Sequence, residues 1–570
     1  MPRLFERVGQ PLWQILKFYW AHIPNQQKRN VSLGLLLLIA LSALSSSFLV
    51  FESLQRGEFI SALAARDQQR FNTALSIFIG ILLASALLLS INTYVQDRLG
   101  LHWRRWLTRS LLTIYLSQQR FYWLPDNIDN PDQRMAEDIK HITQTSVFIL
   151  TTLLESGIQL IGFIGVLWSV SAGLTGFLSF YALTGSAIAT FFFGKRLTRI
   201  NAEQLKREAN FRFGLIDIRE NSESIAFYQG QAYAKQDSRQ RFRQVVDNFN
   251  RFIRWQLGLD CFQNSYQYLT FIIPSLILAP QILSGNIEVG AVVQSQAAFD
   301  RIWLSLSLVV VQFEQLTALA ASIDRLSQLI QGLAETDTIA RPIQILPSPH
   351  ITTKSLTLEL PETQRTLVNQ LSLTIEANQN LLITGPSGIG KSSLIKAIAG
   401  LWSNGQGTIH CPTDDILFLP QRPYLVLGTL RQQLLYPNVD SHISDQKLLS
   451  TLQIMQLEDL IDLDQHQDWS QRLSTGEQQR LAFARLLLVQ PVYALLDEAT
   501  SALSVPQEKH LYQQLATTPT TYISIGHRPS LLPYHHQVLS LNKDHSWNLQ
   551  SAKTYQGFSR KAEGGRRKAE

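Results

Sequence analysis

The chain has 570 residues, more than one compact core needs, so its length predicts two or more domains. It is 45% hydrophobic and 16% charged, against a usual charged share of about 25%, which indicates that part of it avoids water. Because long apolar runs accompany the net charge of +6, we expect a lipid bilayer, and no nucleic acid, as its partner. Two distant cysteines, Cys261 and Cys411, exclude a disulfide framework and a Cys-rich zinc site.

The first segment mixes apolar residues with charged ones, Arg3, Glu6, Arg7 and Lys17. It lacks the apolar core and the cleavage motif of a cleavable signal. The mixture is typical of an amphipathic helix that lies on a membrane surface. We therefore assign residues 1–30 to an N-terminal interfacial helix.

Six long apolar runs follow within residues 31–325, and about 20 apolar residues suffice to cross a bilayer. The runs cover residues 31–51, 73–95, 143–170, 172–194, 265–283 and 289 to about 321. The fifth run contains Pro274 and Pro280, and the sixth is less clean because it carries Asp300, Arg301 and Glu314. The pattern predicts a six-helix transmembrane domain with two long loops.

Lys and Arg are concentrated in the N-terminal segment and in the loops at 96–142 and 195–262. The loop at 52–72 is short and nearly charge-balanced. Because basic loops stay on the cytoplasmic side, we expect both termini and both long loops in the cytoplasm. The absence of a presequence favours a multi-pass protein of a bacterial inner (plasma) membrane, and placement in an organelle stays open.

Polar residues within the predicted spans are costly to place in lipid and therefore point to function. They are Glu155 and Gln159 in the third span, Gln263, Asn264 and Gln267 in the fifth, and Gln294, Gln296, Asp300 and Arg301 in the sixth. We expect a wet cavity for polar cargo, with Glu155, Gln159, Gln267 and Asp300 as candidate lining residues. Glu155 is also suited to carry a proton. A cytoplasmic extension of the helix is the alternative location for Asp300 and Arg301.

The composition changes near residue 340. Residues 326–348 end in a proline-rich stretch that we assign as a linker. In residues 349–550 the β-type runs LLITG, ILFLP, YALLD and TYISIGH alternate with helical segments. This alternation predicts an α/β domain with a largely parallel sheet. Residues 551–570 repeat RKAE around two glycines, which predicts a flexible C-terminal tail.

The sequence GPSGIGKS matches the phosphate-binding motif G-x-x-x-x-G-K-[ST] between a predicted strand and a predicted helix. Its glycines let backbone N–H groups surround phosphate oxygens, Lys391 reaches the β- and γ-phosphates, and Ser392 is suited to hold Mg²⁺. The helix N-terminus adds a favourable partial charge. The candidate nucleotide-binding residues are Gly385, Pro386, Ser387, Gly388, Ile389, Gly390, Lys391, Ser392, Ser393 and Asp497.

Two acids end the apolar strand YALLD, namely Asp497 and Glu498. After a phosphate loop, the first acid is suited to Mg²⁺ and the second to polarising the attacking water. Taken alone, such a pair is often only a strand that meets solvent. The order of the two motifs favours the catalytic interpretation.

The motifs GPSGIGKS, LPQ, LSTGEQQR, LLDEATSAL and GH occur in the order of an ABC transporter ATPase domain. With six spans before them, the chain resembles an ABC half-transporter over essentially its whole length. The resemblance implies an α-helical six-span membrane domain of the ABC exporter type, with helices that extend into the cytoplasm. An α/β P-loop ATPase domain follows. It also implies a head-to-tail pair in which each ATP lies between one Walker A loop and the partner's signature motif.

By this resemblance, Gln421 senses the γ-phosphate and Mg²⁺, and His527 is the switch histidine. Gln421, His527 and Glu498 are therefore the catalytic candidates, and Ser392, Gln421 and Asp497 the candidates for Mg²⁺. The signature residues expected at the partner's ATP are Leu473, Ser474, Thr475, Gly476, Glu477 and Gln478. The implied cofactors are ATP and Mg²⁺.

Three positions depart from the family pattern. Thr475 replaces the first glycine of the usual LSGG, and its branched Cβ predicts an ordinary backbone conformation there. Ser504 replaces the usual aspartate of SALD, which puts a contact between subunits in doubt. Residues 356–367 contain no aromatic for adenine stacking, so we expect adenine to pack on apolar groups or on a residue from elsewhere, with modest nucleotide affinity.

The two long loops and one segment of the ATPase domain narrow the resemblance to the SbmA/BacA-like peptide-uptake group, which is related to the subfamily D transporters of acyl-CoA and cobalamin. The segments concerned are NPDQR near 130, RENSESIAFY at 219–228 and FLPQRPYLVLGTLRQQLLYP at 418–437. We expect each loop to dock a short helix on an ATPase domain, and the alternative for NPDQR is an ordinary capped turn. The candidate coupling residues are Asn130, Pro131, Asp132, Gln133, Glu220 and Glu223.

These features predict an ATP-hydrolysing transporter that works as a homodimer, because an ABC transporter needs two membrane and two ATPase domains. Import of peptides or other hydrophilic or amphipathic solutes is the favoured function. The alternatives are an acyl-CoA or fatty-acid transporter, a lipid or drug exporter, and an ATP-gated regulator or channel. A heterodimer with a related chain also stays open.

Overall fold

The computed structural model describes residues 13, 15, 17, 19, 20, 23–125, 127–336, 342–361, 363–412, 415–438 and 442–556. The side chains of residues 309–311, 313 and 314 are also left undescribed, and Glu314 is one of them. The chain divides into two compact units, Met1–Asp337 and Thr338–Glu570. Each unit is described by itself.

Long helices make up the first unit. They are α1 Asn25–Ala64, α2 Gln68–Leu116, α3 Ile139–Val170, α4 Ala172–Ile188, α5 Lys195–Glu220, α6 Ser222–Phe227, α7 Gln231–Leu283, α8 Gly290–Val311 and α9 Phe313–Glu335. Shorter helical segments join them: Ser117–Gln119, Arg120–Trp123, Pro131–Gln133, Arg134–Asp138 and Ala189–Gly194.

By length and composition, five helical stretches of the described residues are able to cross a membrane. They are Gln27–Ala64, Gln68–Trp123, Pro131–Val170, Ala172–Glu220 and Gln231–Leu283. They contain the first five predicted spans, and α7 continues through Pro274 and Pro280. The sixth predicted span contains all of α8, which carries Asp300 and Arg301 and is not among the five, and it extends into the start of α9.

Most of the predicted interfacial helix lies outside the described residues. Of those described, Ile15 and Tyr19 are buried, whereas Trp13 is 68% exposed. The Tyr19 ring packs against Trp103 and Trp106 of α2, with ring centroids 6.0 and 4.9 Å apart. This segment therefore packs on the α-helical unit, and the residues from Asn25 onward already belong to α1.

An arginine joins the end of α1 to the turn before α8. Asp67 caps α2 by accepting hydrogen bonds from the backbone N–H of Gln69 and Arg70. The Arg70 guanidinium then forms two hydrogen bonds to Glu58 and two to Glu288, at 2.6–2.9 Å. These bonds hold the pKa of Glu288 below its usual range. We refer to this group as the Arg70 clamp.

The second unit contains helices on an α/β framework. Its strands are β1 Ile343–Pro347, β2 Ile351–Glu359, β3 Thr366–Ile375, β4 Leu381–Thr384, β5 Gly405–Cys411, β6 Ile416–Leu419, β7 Gly428–Thr429, β8 His466–Gln467, β9 Tyr493–Asp497, β10 Thr521–Ile525, β11 Gln537–Leu541 and β12 Trp547–Ser551. Its main helices are α10 Lys391–Ile398, α11 Leu430–Leu435, α12 Asp445–Ile454, α13 Thr475–Val489 and α14 Val505–Leu515.

The six-stranded sheet has the order β12-β11-β4-β10-β9-β6, and all its neighbours are parallel except β11 and β12. Alternate residues enter two cores, because successive side chains of a strand point to opposite faces. Leu381 and Ile383 belong to one core and Leu382 to the other. A second sheet has the order β1-β5-β2-β3, and β7 pairs with β8. The predicted strands LLIT, ILFL, YALLD and TYISI are β4, β6, β9 and β10.

The predicted linker, 326–348, overlaps regular structure at both ends. Helix α9 continues to Glu335 and β1 begins at Ile343, while residues 337–341 lie outside the described residues. The first part continues as helix because its apolar residues, including Leu326, Leu329 and Leu333, are buried against neighbouring helices. Residues 557–570 of the predicted tail also lie outside the described part.

Candidate functional site

The phosphate loop connects β4 to α10 at the carboxyl edge of the six-stranded sheet. Gly385, Gly388 and Gly390 have φ values of +151°, +76° and +104°, which favour glycine. A Cβ on Gly390 would lie 2.9 Å from the Cβ of Leu367, so this position also lacks space. The strand, loop and helix occur in the predicted order, and all the candidate residues from 385 to 393 belong to this turn.

Lys391 is the first residue of α10 and is only 6% exposed. Its Nζ donates hydrogen bonds to the carbonyl oxygens of Gly385 and Pro386, at 3.1 and 2.9 Å. The ammonium group is thereby held over the loop whose backbone is suited to phosphate. A positive charge and a helix N-terminus therefore act on the same small volume.

Ser392 and Asp497 meet although 105 residues separate them in the sequence. The Ser392 hydroxyl donates a hydrogen bond of 3.0 Å to Oδ1 of Asp497. Burial raises the pKa of Asp497, and the nearby charge of Glu498 adds to this effect. A half-buried carboxylate beside a hydroxyl gains from a cation, which would offset the cost of desolvating its charge.

Glu498 lies directly beyond β9 and has a φ of +49°, a value that few residues other than glycine adopt. Its carboxylate accepts a hydrogen bond from Nε2 of Gln421 at 3.3 Å. Nε2 of His527 lies 3.5 Å from the other carboxylate oxygen. Gln421 follows β6 and His527 follows β10, so the parallel sheet brings together all three catalytic candidates.

The signature sequence surrounds the N-terminus of α13. Ser474 is the N-cap, and its hydroxyl and backbone N–H both donate to the carboxylate of Glu477, at 2.7 and 2.8 Å. These hydrogen bonds lower the pKa of Glu477. Nε2 of Gln478 donates to the carbonyl oxygen of Leu473, which is buried. The predicted signature residues therefore form a capped helix start.

Thr475 is exposed and is the first residue of α13. It is absent from the residues with positive φ, which confirms the predicted ordinary backbone. The neighbouring Gly476 also lacks a positive φ, and a Cβ there would lie 3.3 Å from Leu503. The threonine therefore fits the helix start without the conformation that requires glycine.

Gln479 is a candidate that the sequence alone did not reveal. It is 1% exposed, and its Nε2 donates to the carbonyl oxygen of Gln421 and to the hydroxyl of Ser501, each at 3.1 Å. Its Oε1 accepts the backbone N–H of Ala502 at 3.0 Å. Gln479 thus connects α13 to the loop of Gln421 and to the segment after Glu498. Its place in LSTGEQQR was the only available signal.

Glu508 is a second buried residue that the sequence did not single out. It is 2% exposed and accepts hydrogen bonds from Thr500, Ser530 and Arg528, at 2.9, 2.5 and 3.3 Å. Arg528 also donates to the carbonyl oxygen of Leu503 at 2.8 Å. These bonds attach the segment after Glu498 to the segment after His527. Burial of a charged residue depends on distant partners, so no local pattern indicates it.

We expect Glu508→Gln to lower the thermal stability of the ATPase unit and to slow ATP hydrolysis several-fold. The amide keeps the shape but leaves Arg528 without its carboxylate, and hydrogen bonds to charged groups contribute about 1.5–3 kcal/mol. Thermal unfolding and phosphate release in detergent measure both effects. Glu458→Gln, which changes an exposed acid of the same unit, is the matched control. Equal thermal stability and equal hydrolysis rates in the two variants would contradict a role for Glu508 in positioning the segments that follow Glu498 and His527.

Ser504 precedes α14 at the position where the family usually has aspartate. Its backbone N–H and hydroxyl donate to Oε1 of Gln507, at 3.2 and 2.9 Å. The serine therefore takes part in a capping interaction within one chain. The predicted loss of a contact between subunits remains a prediction.

Residues 356–367 form the end of β2, a turn and the start of β3. Leu367 adjoins Gly390 of the phosphate loop and is apolar, but it is only 4% exposed. The indole N–H of Trp402 donates to the carbonyl oxygen of Glu359 at 3.2 Å, so an aromatic ring lies beside the end of β2. Packing of adenine on apolar groups remains a prediction.

The four cavity candidates separate into two places. Gln267 and Asp300 line one cavity of the helical unit, and Nε2 of Gln267 is 3.4 Å from Oδ1 of Asp300. Glu155 and Gln159 are not among its lining residues. Glu155 instead accepts a hydrogen bond of 2.7 Å from Asn92, which connects α3 to α2.

We expect Glu155→Gln to leave transport and thermal stability unchanged. Its Oε1 would still accept the hydrogen bond from Asn92, so the link between α2 and α3 persists without a charge. Glu155→Leu removes the acceptor and should cost about 0.6 kcal/mol, the average for hydrogen bonds between membrane helices, for which the maximum is about 1.7 kcal/mol. Thermal unfolding and transport in proteoliposomes distinguish the variants. Loss of transport in the glutamine variant alone would indicate a role that requires ionisation.

The NPDQR segment differs from the short capped helix that we expected. Pro131–Gln133 continues through Arg134–Asp138 into α3, and Asn130 at its start has a φ of +43° and no side-chain cap. Asp132 and Gln133 are exposed. The motif is thus the first turn of a long helix, because no residue there ends the helical hydrogen bonds.

The buried Arg134 explains part of this motif. It is 3% exposed, and it donates to Asp129 at 2.6 Å and to the carbonyl oxygen of Arg325 at 2.8 Å. The hydrogen bond from Arg134 lowers the pKa of Asp129. Asp138 in turn accepts two hydrogen bonds from the Arg325 guanidinium. The first long loop is therefore fastened to α9.

In the second long loop, Glu220 is the last residue of α5 and Glu223 lies in the short helix α6. Both are exposed. Phe227 and Tyr228, at the end of α6, are 79% and 87% exposed. This loop therefore contains the short separate helix that we expected, and two large aromatic side chains are exposed at its end.

The second unit gathers a phosphate loop, two acids, a glutamine and a histidine at one sheet edge, and a unit of long apolar helices precedes it. These features define an ATP-hydrolysing membrane transporter. Residues 19–283 match the family "ABC transporter transmembrane region 2" and residues 368–501 match the family "ABC transporter". The chain belongs to the ABC transporter family and is homologous to its subfamily D members.

Several relatives match most of this chain. An uncharacterised ABC transporter ATP-binding protein of Synechocystis is 42% identical, over 86% of this chain and 77% of its own. The chloroplastic ABC transporter D family member 2 of Arabidopsis thaliana is 36% identical, over 93% and 86%. The human lysosomal cobalamin transporter ABCD4 is 30% identical, over 97% and 98%.

A solved structure of a bacterial Atm1-family ABC exporter with ATP bound has the same fold. Its TM-score is 0.70 at 18% sequence identity, and the match covers 93% of this chain and 96% of that one. The predicted fold class and the predicted ATPase coupled to transport are therefore confirmed. These relatives give no support to the narrower SbmA/BacA-like grouping.

Proposed function

We propose that this protein is a homodimeric transporter that uses ATP to move peptides or other hydrophilic solutes by alternating access, with import as its direction. The main support for a hydrophilic cargo is the cavity of the helical unit, because its lining includes the amides of Gln263, Asn264 and Gln267. An apolar cargo would leave these amides without hydrogen-bond partners, which is costly away from water.

We assign ATP to the loop from Gly385 to Ser393, where Lys391 neutralises the β- and γ-phosphates. Ser392 and Asp497 are the residues that would hold Mg²⁺, since a hydroxyl and a carboxylate are the oxygen ligands that it prefers. Gln421 is the third residue that we propose to hold Mg²⁺. When bound, the ion neutralises charge on the phosphates and helps to orient them.

The hydrolytic roles rest on the group around Glu498. Its carboxylate orients and polarises the attacking water, and Gln421 and His527 hold that carboxylate and the γ-phosphate region in position. The left-handed backbone at Glu498 supports this assignment, because strained conformations of this kind concentrate at functional sites.

A second copy of this chain completes each ATP site in this proposal. Ser474 and Thr475 are exposed at the start of a 15-residue helix, whose N-terminus favours phosphate. The two sites of a homodimer carry the same Thr475 and the same Glu498, so both hydrolyse ATP. ATP binding joins the ATPase units and hydrolysis releases them.

Coupling to the membrane runs, in this proposal, through the two long loops. The proposed coupling residues of the first loop are Asn130, Pro131, Asp132 and Gln133, and those of the second loop are Glu220 and Glu223. The exposed Phe227 and Tyr228 support a docking role for α6, because large aromatic side chains are favourable at protein interfaces. We place both loops and both termini in the cytoplasm, with the helices in a bacterial inner membrane.

Cobalamin is the second candidate cargo, since a relative that matches nearly all of this chain is named for its transport. The test is uptake of labelled peptide, cobalamin and acyl-CoA into proteoliposomes, with ATP enclosed in the lumen, where it reaches the inward-facing ATPase units, and the Glu498→Gln variant as control. The proposal predicts accumulation of peptide with the unchanged protein only. Accumulation of another cargo would reassign the substrate, and no accumulation of any would favour export or an ATP-gated regulator.

A further inference from the structure

One cavity of the helical unit, with a volume of about 570 Å³, contains charges of both signs. Glu52 and Arg56 of α1 and Asp300 and Arg301 of α8 are among its lining residues. Small-molecule sites usually have volumes of about 300–1,000 Å³, so the cavity is large enough for a small solute. Its charged groups come from two different helices of the transmembrane unit.

These four side chains form no ion pair with one another or with any other side chain in the part of the chain described. The spacing of Glu52 and Arg56 suits an ion pair on a helix, yet none forms. Among the described residues, the side-chain hydrogen bond of Asp300 is the 3.4 Å contact with Gln267. Charged residues among membrane helices are normally paired or face a water-filled path, because lipid cannot solvate them. Four such residues around one cavity therefore point to a charged occupant.

Part of the cavity lining lies well inside the helical unit. Asp300 is ten residues beyond the start of α8 at Gly290, which corresponds to about 15 Å along the helix. Between the two, Nε2 of Gln294 donates to the carbonyl oxygen of Leu54 at 3.2 Å, and a Cβ on Gly290 would collide with the carbonyl oxygen of Gly57. The Arg70 clamp lies beyond these contacts. Asp300 and Arg301 thus lie behind a closely packed junction of α1 and α8, whereas Arg56 belongs to the part of α1 that forms this junction and is exposed.

We propose that this cavity binds a solute that carries both an ammonium group and a carboxylate, such as a short peptide with two free ends. The carboxylate binds the arginines, whose planar guanidinium groups match its two oxygens, and the ammonium binds Asp300 or Glu52. An uncharged or lipid-like solute would offer these four side chains no opposite charge. This inference rests on the proposed transport of hydrophilic solutes and specifies the charges that the solute must carry.

The test compares four forms of one tripeptide, trialanine, in a substrate-stimulated ATPase assay with the full protein in proteoliposomes. The forms have both ends free, an acetylated N-terminus, an amidated C-terminus, or both ends blocked. We expect the free form to stimulate hydrolysis and each single block to raise the half-maximal concentration at least ten-fold. Equal stimulation by the free and the doubly blocked forms would overturn the charge requirement while the transport of hydrophilic solutes stands.

Two variants assign each end of the peptide. Arg301→Gln should abolish the preference for a free over an amidated C-terminus, and Asp300→Asn the preference for a free over an acetylated N-terminus. Glu155→Gln, an acid outside the cavity, should keep both preferences. Unchanged preferences in both cavity variants would overturn the assignment. Retained hydrolysis without solute shows that a variant is folded, and the comparison of peptides on the unchanged protein needs no variant.

The uptake assay separates this inference from the proposed function. Uptake of a neutral hydrophilic solute, without stimulation by any form of the peptide, would remove the charge requirement and keep the transporter. Absence of ATP-dependent uptake of every solute would remove both.

Discussion

Glu498→Gln abolishes ATP hydrolysis and leaves ATP binding intact; this is the largest effect that we expect. The carboxylate is the group that we assign to polarise the attacking water, and such general base catalysis contributes about 10²–10⁴-fold to a rate. Glutamine has nearly the same shape and keeps an oxygen acceptor for Gln421, so the sheet edge should be preserved. Phosphate release and binding of labelled ATP measure the two effects.

Glu458→Gln serves as the control, because it neutralises an exposed acid of the same unit. It should hydrolyse ATP at the unchanged rate. Turnover of the Glu498→Gln variant within a few-fold of the control would exclude this residue as the base. Simultaneous loss of hydrolysis and binding would instead point to a structural role for its left-handed turn.

The second large effect is expected for Lys391→Ala, which should weaken ATP binding about 10- to 100-fold. Charge-assisted hydrogen bonds contribute about 1.5–3 kcal/mol, and each 1.4 kcal/mol is a factor of ten in affinity. The Nζ of Lys391 lies on the loop carbonyls of Gly385 and Pro386, so the charge is in place for the phosphates. Titration with a fluorescent ATP analogue measures the affinity.

Lys447→Ala is the matched control, since it removes an exposed lysine from α12. Its affinity for the analogue should equal that of the unchanged protein. Lys391→Arg separates charge from size, because the larger guanidinium has little space at a position that is 6% exposed. Full affinity in the alanine variant would contradict the assignment of ATP to this loop.

The nucleotide site could be predicted from the sequence because each of its parts is a motif of a few consecutive residues. A glycine-rich turn between a strand and a helix fixes the position of Lys391, and an apolar strand fixes that of Asp497 and Glu498. The parallel sheet then places the ends of β4, β6, β9 and β10 at one edge. Motif order together with strand direction was therefore sufficient to predict which segments would meet.

The hydrogen-bond partners of buried polar residues could not be predicted in this way. Gln479 binds Gln421 and Ser501, which are 58 and 22 residues away, and nothing near it in the sequence indicates burial. Glu508 likewise connects the segment of Thr500 to that of Ser530, and no local pattern indicates this. Glu155 was predicted to line a cavity and instead bonds to Asn92, 63 residues earlier. Arg134 is fastened to the backbone of Arg325, 191 residues later.

The apolar helices, the alternating strands of the ATPase unit and the phosphate loop could be predicted from local sequence, because periodic burial and turn chemistry act over a few neighbouring residues. The folded protein alone shows that Glu52 and Arg56 share a cavity with Asp300 and Arg301. The same is true of the NPDQR segment, which begins a long helix. The cavity forms where helices that are far apart in the chain pack together. The free-energy cost of an unpaired charge depends on this environment, which local sequence does not reveal.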